Sequence, residues 1–305
     1  MSATPGAIGR SPGRLAVRAI KLGVSLIYAA CQFAWNRAQR LRHRDRPGTC
    51  VVLYYHSVPR RYQGRFEEQV RIAVRHAKTI ALGGLDRLPA NTHSAAITFD
   101  DGLESFVENA VPVLQRMNVP ATVFVVTDAL GSRPVWGESY YDPKERVMSE
   151  EQLCGLPSLV SVGSHTLTHP NLVALSEEAA GREIMQSRKK LESLLQRPIA
   201  TFSFPHGEFS SSTVRQCREA GYERVFTIEP VLFSAVQPGF VAGRVAADPW
   251  DWRLEFRLKI LGAYCWQAYT RAATRRIKQL LLPQRELQPQ AAESSNVERQ
   301  LPKCR

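Results

Sequence analysis

The 305-residue sequence contains no CxxC pair: its six cysteines, at positions 31, 50, 154, 217, 265 and 304, are scattered. That spacing argues against a thiolate zinc site or a disulfide framework and suits a reducing compartment. No internal repeat or coiled-coil heptad is present from which an oligomeric state could be read. The uncharged, mostly apolar stretch Leu22 to Trp35 (LGVSLIYAACQFAW) covers only 14 residues, whereas a transmembrane helix needs about 20. Acidic residues are nearly missing from both ends. Residues 1–50 hold nine Lys/Arg against one Asp, and 252–280 hold seven against one Glu. The net charge of +12 therefore belongs to the flanks, and 51–251 carries about −3. A nucleic-acid-binding core would carry its own basic face, so the charge distribution argues against one. No histidine follows His206.

What is present begins with alternation. Val51–Tyr55, Ala95–Phe99, Ala121–Val126, Leu159–Val162, Ile199–Phe204 and Arg224–Ile228 read as strands. Between them, helical spacing is expected over Phe66–Leu82, Leu103–Met117, Glu177–Gln196 and Ser212–Ala220. A short helix opens at Ser149, with Gln152 completing a capping box. Strands and helices alternating at this spacing predict a parallel α/β architecture. In such folds chemistry collects at the C-terminal ends of the strands. His56, Asp100-Asp101, His165 and Phe204-Pro205-His206 all fall at or just after predicted strand ends.

Two of these points form a set. His165 and His169, in SHTLTHP, are spaced i, i+4, so on a helical turn their imidazoles would converge. Asp101 from ITFDDG would supply a third ligand, and mixed nitrogen and oxygen ligation suits Zn2+, with Co2+ or Ni2+ as alternatives. Asp100 then stays free as general base. A divalent cation acidifies a water it holds from a pKa of about 15.7 toward roughly 7–9, within reach of a carboxylate. This gives the adjacent aspartates separate uses, which a plain strand-end turn does not.

ITFDDG, SHTLTHPNL and FSFPHG, in that order, resemble the polysaccharide deacetylases, the NodB-like carbohydrate esterases, over roughly residues 50–245. The resemblance implies a distorted (β/α) barrel of about seven parallel strands and metal-dependent removal of acetyl groups from sugars. It implies Asp100 as base, Asp101, His165 and His169 as metal ligands, and Phe204, Pro205, His206 and Gly207 as lining of the substrate groove. Two departures stand out. Where the family often has an arginine that orients the base, this chain has Ser203, and the late leucine-x-histidine strand that supplies the general acid is missing. In a circularly permuted branch, resembling the biofilm poly-N-acetylglucosamine deacetylases, that histidine precedes the aspartates. His56 is accordingly the candidate acid, with His206 in reserve as acid or as a backbone N–H donor to the oxyanion.

The expected organisation is a basic N-terminal segment (1–49), the barrel (50–250), a basic amphipathic helical extension (251–283) and a disordered tail (284–305). Leu254, Leu258, Leu261 and Cys265 form one stripe of the extension, and Trp250 is a candidate rim of the sugar groove. The apolar stretch near the N-terminus reads equally as a helix on a membrane surface or one packed on the barrel. A signal anchor is the second choice, since arginines crowd both sides and Tyr28 spoils a lipoprotein-like Ala29-Ala30-Cys31 site. The resulting placement is cytoplasmic and peripheral to a membrane, with a signal-anchored extracytoplasmic chain as the alternative. Three functions fit: deacetylation of an N-acetylated polysaccharide or its precursors, deacetylation or deformylation of a lipid-linked sugar, and an inactive carbohydrate-binding barrel.

Overall fold

The computed structural model describes residues 12–41, 45–137 and 142–281; the expected disordered tail, 284–305, lies outside them. The strands are β1 (Thr49–Tyr55), β2 (Lys78–Thr79), β3 (His93–Phe99), β4 (Ala121–Val125), β5 (Val160–Ser164), β6 (Thr201–Ser203), β7 (Arg224–Phe226), β8 (Phe233–Ser234), β9 (Val241–Ala242) and β10 (Val245–Ala246). The helices are α1 (Pro12–Leu41), α2 (Gln63–His76), α3 (Val111–Met117), α4 (Glu150–Cys154), α5 (Glu177–Leu195), α6 (Ser211–Glu219), α7 (Arg253–Ile260) and α8 (Trp266–Leu281).

Eight strands run in the order β10-β1-β3-β4-β5-β6-β7-β9, every neighbouring pair parallel. β2 pairs with β3, and β8 runs antiparallel to β1. The result is a nearly closed α/β barrel with one strand more than the seven expected. The extra strand arises because β9 and β10, two residues each and joined only by Gly243-Arg244, dock on opposite ends of the sheet. Such dipeptide strands carry no readable alternation.

The strands read as apolar runs because both faces are covered: Val51, Leu53, Ile97, Val123 and Val225 are all buried in one core with Phe66, Phe106 and Ile184 from the surrounding helices. Caps fix where the helices begin. Ser149 and Gln152 form the expected capping box on α4, and Ser176 Oγ accepts from the Ala179 N–H above two glutamates at the start of α5.

Three expected elements differ. The helix anticipated over 66–82 stops at His76, and Ile80, Leu82 and Leu85 turn into a second apolar cluster under β1 and β3. The C-terminal extension is two helices, broken where Gly262 takes φ +74°. Of its expected stripe, Leu258 and Cys265 are buried while Leu254 and Leu261 remain exposed. The N-terminal apolar stretch is part of a 30-residue helix, of which Leu15–Gln39 is long and apolar enough to cross a membrane. That helix contacts α7, and its Leu22, Tyr28 and Ala29 pack on the main core.

Candidate active site

β1 and β3 run in register, Tyr55 opposite Phe99, and the Asp100 N–H donates to the Tyr55 carbonyl. The ladder thus delivers His56 and Asp100 side by side at the end of the barrel. Immediately after, Asp101 (φ +70°) and Gly102 (φ +68°) turn the chain sharply. Gly102 is needed there because an added Cβ would press on the Val125 side chain at 3.3 Å. Seven non-glycine residues have positive φ among the described residues, and four of them, Asp101, Thr166, His169 and His206, belong to this site. Left-handed conformations cost of order 1 kcal/mol or more each and persist where the surroundings over-determine them. The other three sit at a turn and at the C-caps of α3 and α5.

The His165-x-x-x-His169 segment is not helical, contrary to the expectation from its i, i+4 spacing. It is a loop held from two sides. Glu183 on α5 accepts from the N–H groups of Leu167 (2.8 Å) and Thr168 (3.0 Å) and from the Thr168 hydroxyl (2.8 Å). The carbonyls of Thr166 and Leu167 in turn accept from Thr127 and Asp128 beyond β4. Thr166 Oγ1 accepts from the His169 N–H at 3.0 Å. The imidazoles converge through this clamp and the left-handed φ values, not through a helical turn.

Asp101, His165 and His169 are all buried, and one donor atom of each lies within 4.8 Å of the others. His165 Nε2 and His169 Nε2 stand 3.4 and 3.3 Å from the same Asp101 oxygen. His165 Nδ1 lies 2.7 Å from the Ser203 carbonyl. A carbonyl can only accept, so Nδ1 carries a proton and Nε2 is the atom turned to the carboxylate, with its lone pair facing it in the neutral ring. Burial, reinforced by His165, lowers the His169 pKa to about 3, so this ring is neutral. Burial also lowers the His165 pKa, but contact with Asp101 and the charges of both aspartates outweigh it and raise it. Burial raises the Asp101 pKa, and the His165 contact with the charges of His56, His165 and His169 more than reverses it, holding the carboxyl far below its usual range. Lone pairs facing one carboxylate oxygen repel unless a proton or a cation sits among them. Two imidazoles and a carboxylate are a donor set that fits a divalent metal.

Asp100 is held quite differently. Arg244, fully buried, grips it with both arms: Nη1 to Oδ1 at 2.7 Å and Nη2 to Oδ2 at 2.8 Å. The remaining donors are also used, Nη1 to Thr98 Oγ1, Nη2 to Ser203 Oγ at 2.7 Å and Nε to the Thr227 carbonyl. Burial pushes the Asp100 pKa up, but the guanidinium, seconded by His165, outweighs it and keeps the carboxyl below its ordinary value. This corrects the expectation of a missing arginine. Ser203 does occupy the expected place, but it orients an arginine that arrives from the β9–β10 seam. Only a non-local pairing brings the two together, 144 residues apart, and no local sequence signal marks it.

The remaining candidates divide. His56 is half-buried and edge-on to Tyr54. His206 is exposed at φ +58°, its ring 4.7 Å from that of His169. Phe204 and Pro205 are buried, Phe204 against Phe202 and Phe209, so they serve the core and not a groove surface. Gly207 (φ +72°) lies under Ile228. Trp250 packs beside Tyr62 and turns its carbonyl to Arg18. The aromatic ring actually at the metal-type cluster is Trp136, stacked on His169 at 4.7 Å and 19°. It was missed because it lies far from any recognisable motif.

Residues 87–225 match the family model for polysaccharide deacetylases, a stretch holding Asp100, Asp101, His165, His169 and His206 but not His56 or Arg244. The Bacillus subtilis (strain 168) protein YxkH, named for that family, is 25% identical over 218 residues, covering 67% of this chain and 74% of its own. The poly-beta-1,6-N-acetyl-D-glucosamine N-deacetylase of Staphylococcus aureus (strain MRSA252) is 26% identical over 179 residues, covering 55% and 60%; the chain thus spans less than two thirds of that relative. Among solved structures, IcaB from Ammonifex degensii shares the fold with a TM-score of 0.58 at 22% identity, over 72% of this chain and 98% of its own. The Streptococcus pyogenes deacetylase PplD, solved with acetate, does so at 0.56 and 20%, over 67% and 94%. The chain carries, over residues 87–225, a polysaccharide deacetylase domain of the hydrolase family that acts on carbon–nitrogen bonds other than peptide bonds.

Proposed function

We propose that this protein removes acetyl groups from the N-acetylated sugars of an exopolysaccharide or its precursors, and does so at a membrane surface. The observation that carries the reading is the division of labour between adjacent aspartates: Asp101 faces two imidazoles, and Asp100 is gripped by Arg244. The likeness to a poly-N-acetylglucosamine N-deacetylase supports the substrate class.

Asp101, His165 and His169 would hold the divalent metal, with Zn2+ favoured by the mixed donor set and Co2+ or Ni2+ the alternatives. When bound, such an ion supplies Lewis acidity at the acetyl carbonyl and the means to ionise a water at neutral pH. Asp100 takes the proton of the attacking water, and Arg244 keeps it ionised and pointed while it waits. The amine cannot leave as an anion, so a proton must reach it; His56, beside Asp100 on the neighbouring strand, donates it, and acetate departs. His206 is the reserve donor, through its ring or its backbone N–H. Trp136 and the exposed His206 frame the approach of the sugar.

An inactive carbohydrate-binding barrel rests on the absent late histidine and the missing arginine; Arg244 speaks against the second ground and His56 is the proposed answer to the first. The same chemistry on a lipid-linked sugar is the second reading, favoured by the apolar face of α1 described below.

Metal analysis together with acetate release from N-acetylglucosamine oligosaccharides tests the proposal. The wild type is expected to bind one divalent ion and release acetate. Asp100→Asn should keep the metal while turnover falls by about 10²–10⁴. Near-normal turnover in that variant would overturn the assignment of the base.

A further inference from the structure

The polarity of α1 is inverted relative to a helix packed on a soluble domain. Its inward stripe is Arg18, Leu22, Ser25, Ala29, Gln32 and Asn36, alternating at spacings of four and three, and all are at least half-buried. Four of those six are polar. Outward, Val17 is 53% exposed, Ile20 66%, Ile27 68%, Phe33 70% and Trp35 51%. Between Leu15 and Trp35 the only exposed charged residue is Lys21. A water-facing helix shows the opposite arrangement, so something apolar covers this strip, which at 1.5 Å per residue is about 30 Å long.

Two possibilities follow for a lipid partner, since the helix is also long enough to span. The inward stripe decides between them. Arg18 lies within the candidate span, its Nε 2.7 Å from a Glu255 oxygen and its Nη2 3.5 Å from Asp251 and 3.1 Å from the Trp250 carbonyl. The guanidinium also lies over the Trp252 ring at 4.4 Å. Asp251 and Glu255 share the buried Lys259, and Trp266 Nε1 donates to the buried Ser25 at 2.9 Å. For α1 to cross a bilayer, this network would have to enter hydrocarbon with it, or break and strand Arg18 there. Both are costly.

We propose that α1 lies in the plane of an anionic membrane, its outward strip in one leaflet, and that the Arg18 network locks the barrel to it. The charge supports an anionic partner: α1 and α8 together contain nine Lys/Arg and no acidic residue, while the barrel between the flanks is slightly acidic. The lock is continuous with the barrel mouth, because Arg18 binds the Asp248-to-Trp252 loop, whose Asp248 carbonyl is held by Gln69 and whose side chain feels His56. In-plane seating therefore fixes how the mouth faces the lipid. This deepens the membrane part of the reading above and does not depend on its chemistry.

The test uses the full chain with vesicles of phosphatidylcholine alone or mixed with phosphatidylglycerol. Flotation is expected with the anionic vesicles, weakening with salt. Ile20→Asp with Ile27→Asp, both outward and so without effect on thermal stability, should lower the partition coefficient by about tenfold or more. Depth is then read with an environment-sensitive probe on Cys31, with Cys154→Ser and Cys304→Ser removing other reactive thiols, and on an Ile20→Cys variant that also carries Cys31→Ser. Lipid-borne quenchers at graded depths should report the same depth at both positions. Different depths, approaching the roughly 16 Å that separates eleven helical residues, would overturn in-plane seating while leaving membrane association standing. Failure to float, or a lipid-independent dimer that shields both probes, would overturn the membrane partner altogether.

Discussion

Replacing Arg244 is the sharpest perturbation available, because one side chain serves both stability and the proposed base. Arg244→Met keeps much of the volume between Tyr54 and Phe124, whose rings flank the guanidinium at 4.8 and 5.3 Å. It removes both contacts to Asp100 and those to Thr98, Ser203 and Thr227. Asp100 is 3% exposed, so water cannot replace the lost partner. Removing one member of a buried pair costs about 3–5 kcal/mol, most of it the penalty of stranding the other charge. At roughly 2–4 °C per kcal/mol for a domain of this size, the melting temperature should fall by roughly 6–20 °C.

The same reasoning fixes the control and the pH dependence. Asp100→Asn with Arg244→Met leaves no stranded carboxylate, so the double variant should recover part of the loss, with a coupling energy of about 2 kcal/mol or more. In the wild type the Asp100 carboxyl is held below its ordinary value, so the pair stabilises fully above the unfolded carboxylate pKa and is lost as pH falls through the folded one. Without Arg244, burial is opposed only by the charges of His165 and His56. The acid limb of kcat/KM should then move to higher pH, toward neutrality. Thermal melts and the pH–rate profile both read this out. Additive single-variant effects, with coupling under about 0.5 kcal/mol, would refute the argument, as would an unmoved acid limb.

Two further substitutions separate the roles of neighbouring residues. His56→Gln should retain metal and fold, yet lower kcat by about 10²-fold or more and flatten the basic limb of the pH–rate profile; a loss confined to KM would make His56 a binding residue. Gly207→Ala drives a Cβ into the Ile228 side chain at φ +72°, so it should destabilise by about 2 kcal/mol or more in denaturant titration; unchanged stability would show that the turn can shift.

The site was legible in the sequence to the extent that its residues follow strand ends. Asp100-Asp101 and His165 could be placed because apolar runs of five or so residues announce a barrel strand and polar residues then mark its mouth. His169 came with His165, though for a different reason than its spacing suggested: the loop converges through left-handed φ values at Thr166 and His169 and through Glu183, which is just one more glutamate on an amphipathic helix until the fold brings it to the loop. Phe204 and Pro205 were assigned to a groove because they stand in a motif, and their burial reflects the ordinary fate of apolar residues next to a strand. Arg244 was out of reach because the strands around it are two residues long and its partner is 144 positions away.

Arg244 also answers why two carboxylates can close a buried strand. Charges that close are tolerable only when each has its own cation, and Asp100 has one in every state of the protein, built into the chain. Asp101 instead faces two imidazoles, one of them kept neutral by burial, a donor set that would be completed by a divalent ion. The asymmetry is what makes the pair useful. In the proposed mechanism a carboxylate paired to arginine is a weaker competitor for the metal, so the ion would be held at Asp101 while Asp100 would keep a lone pair for the proton. If Arg244 were lost, both aspartates would compete for the same ion, and Arg244→Met should therefore alter metal affinity as well as stability. On that proposal, the seam where β9 meets β10 joins the closing of the barrel to the choice of base and ligand at its mouth.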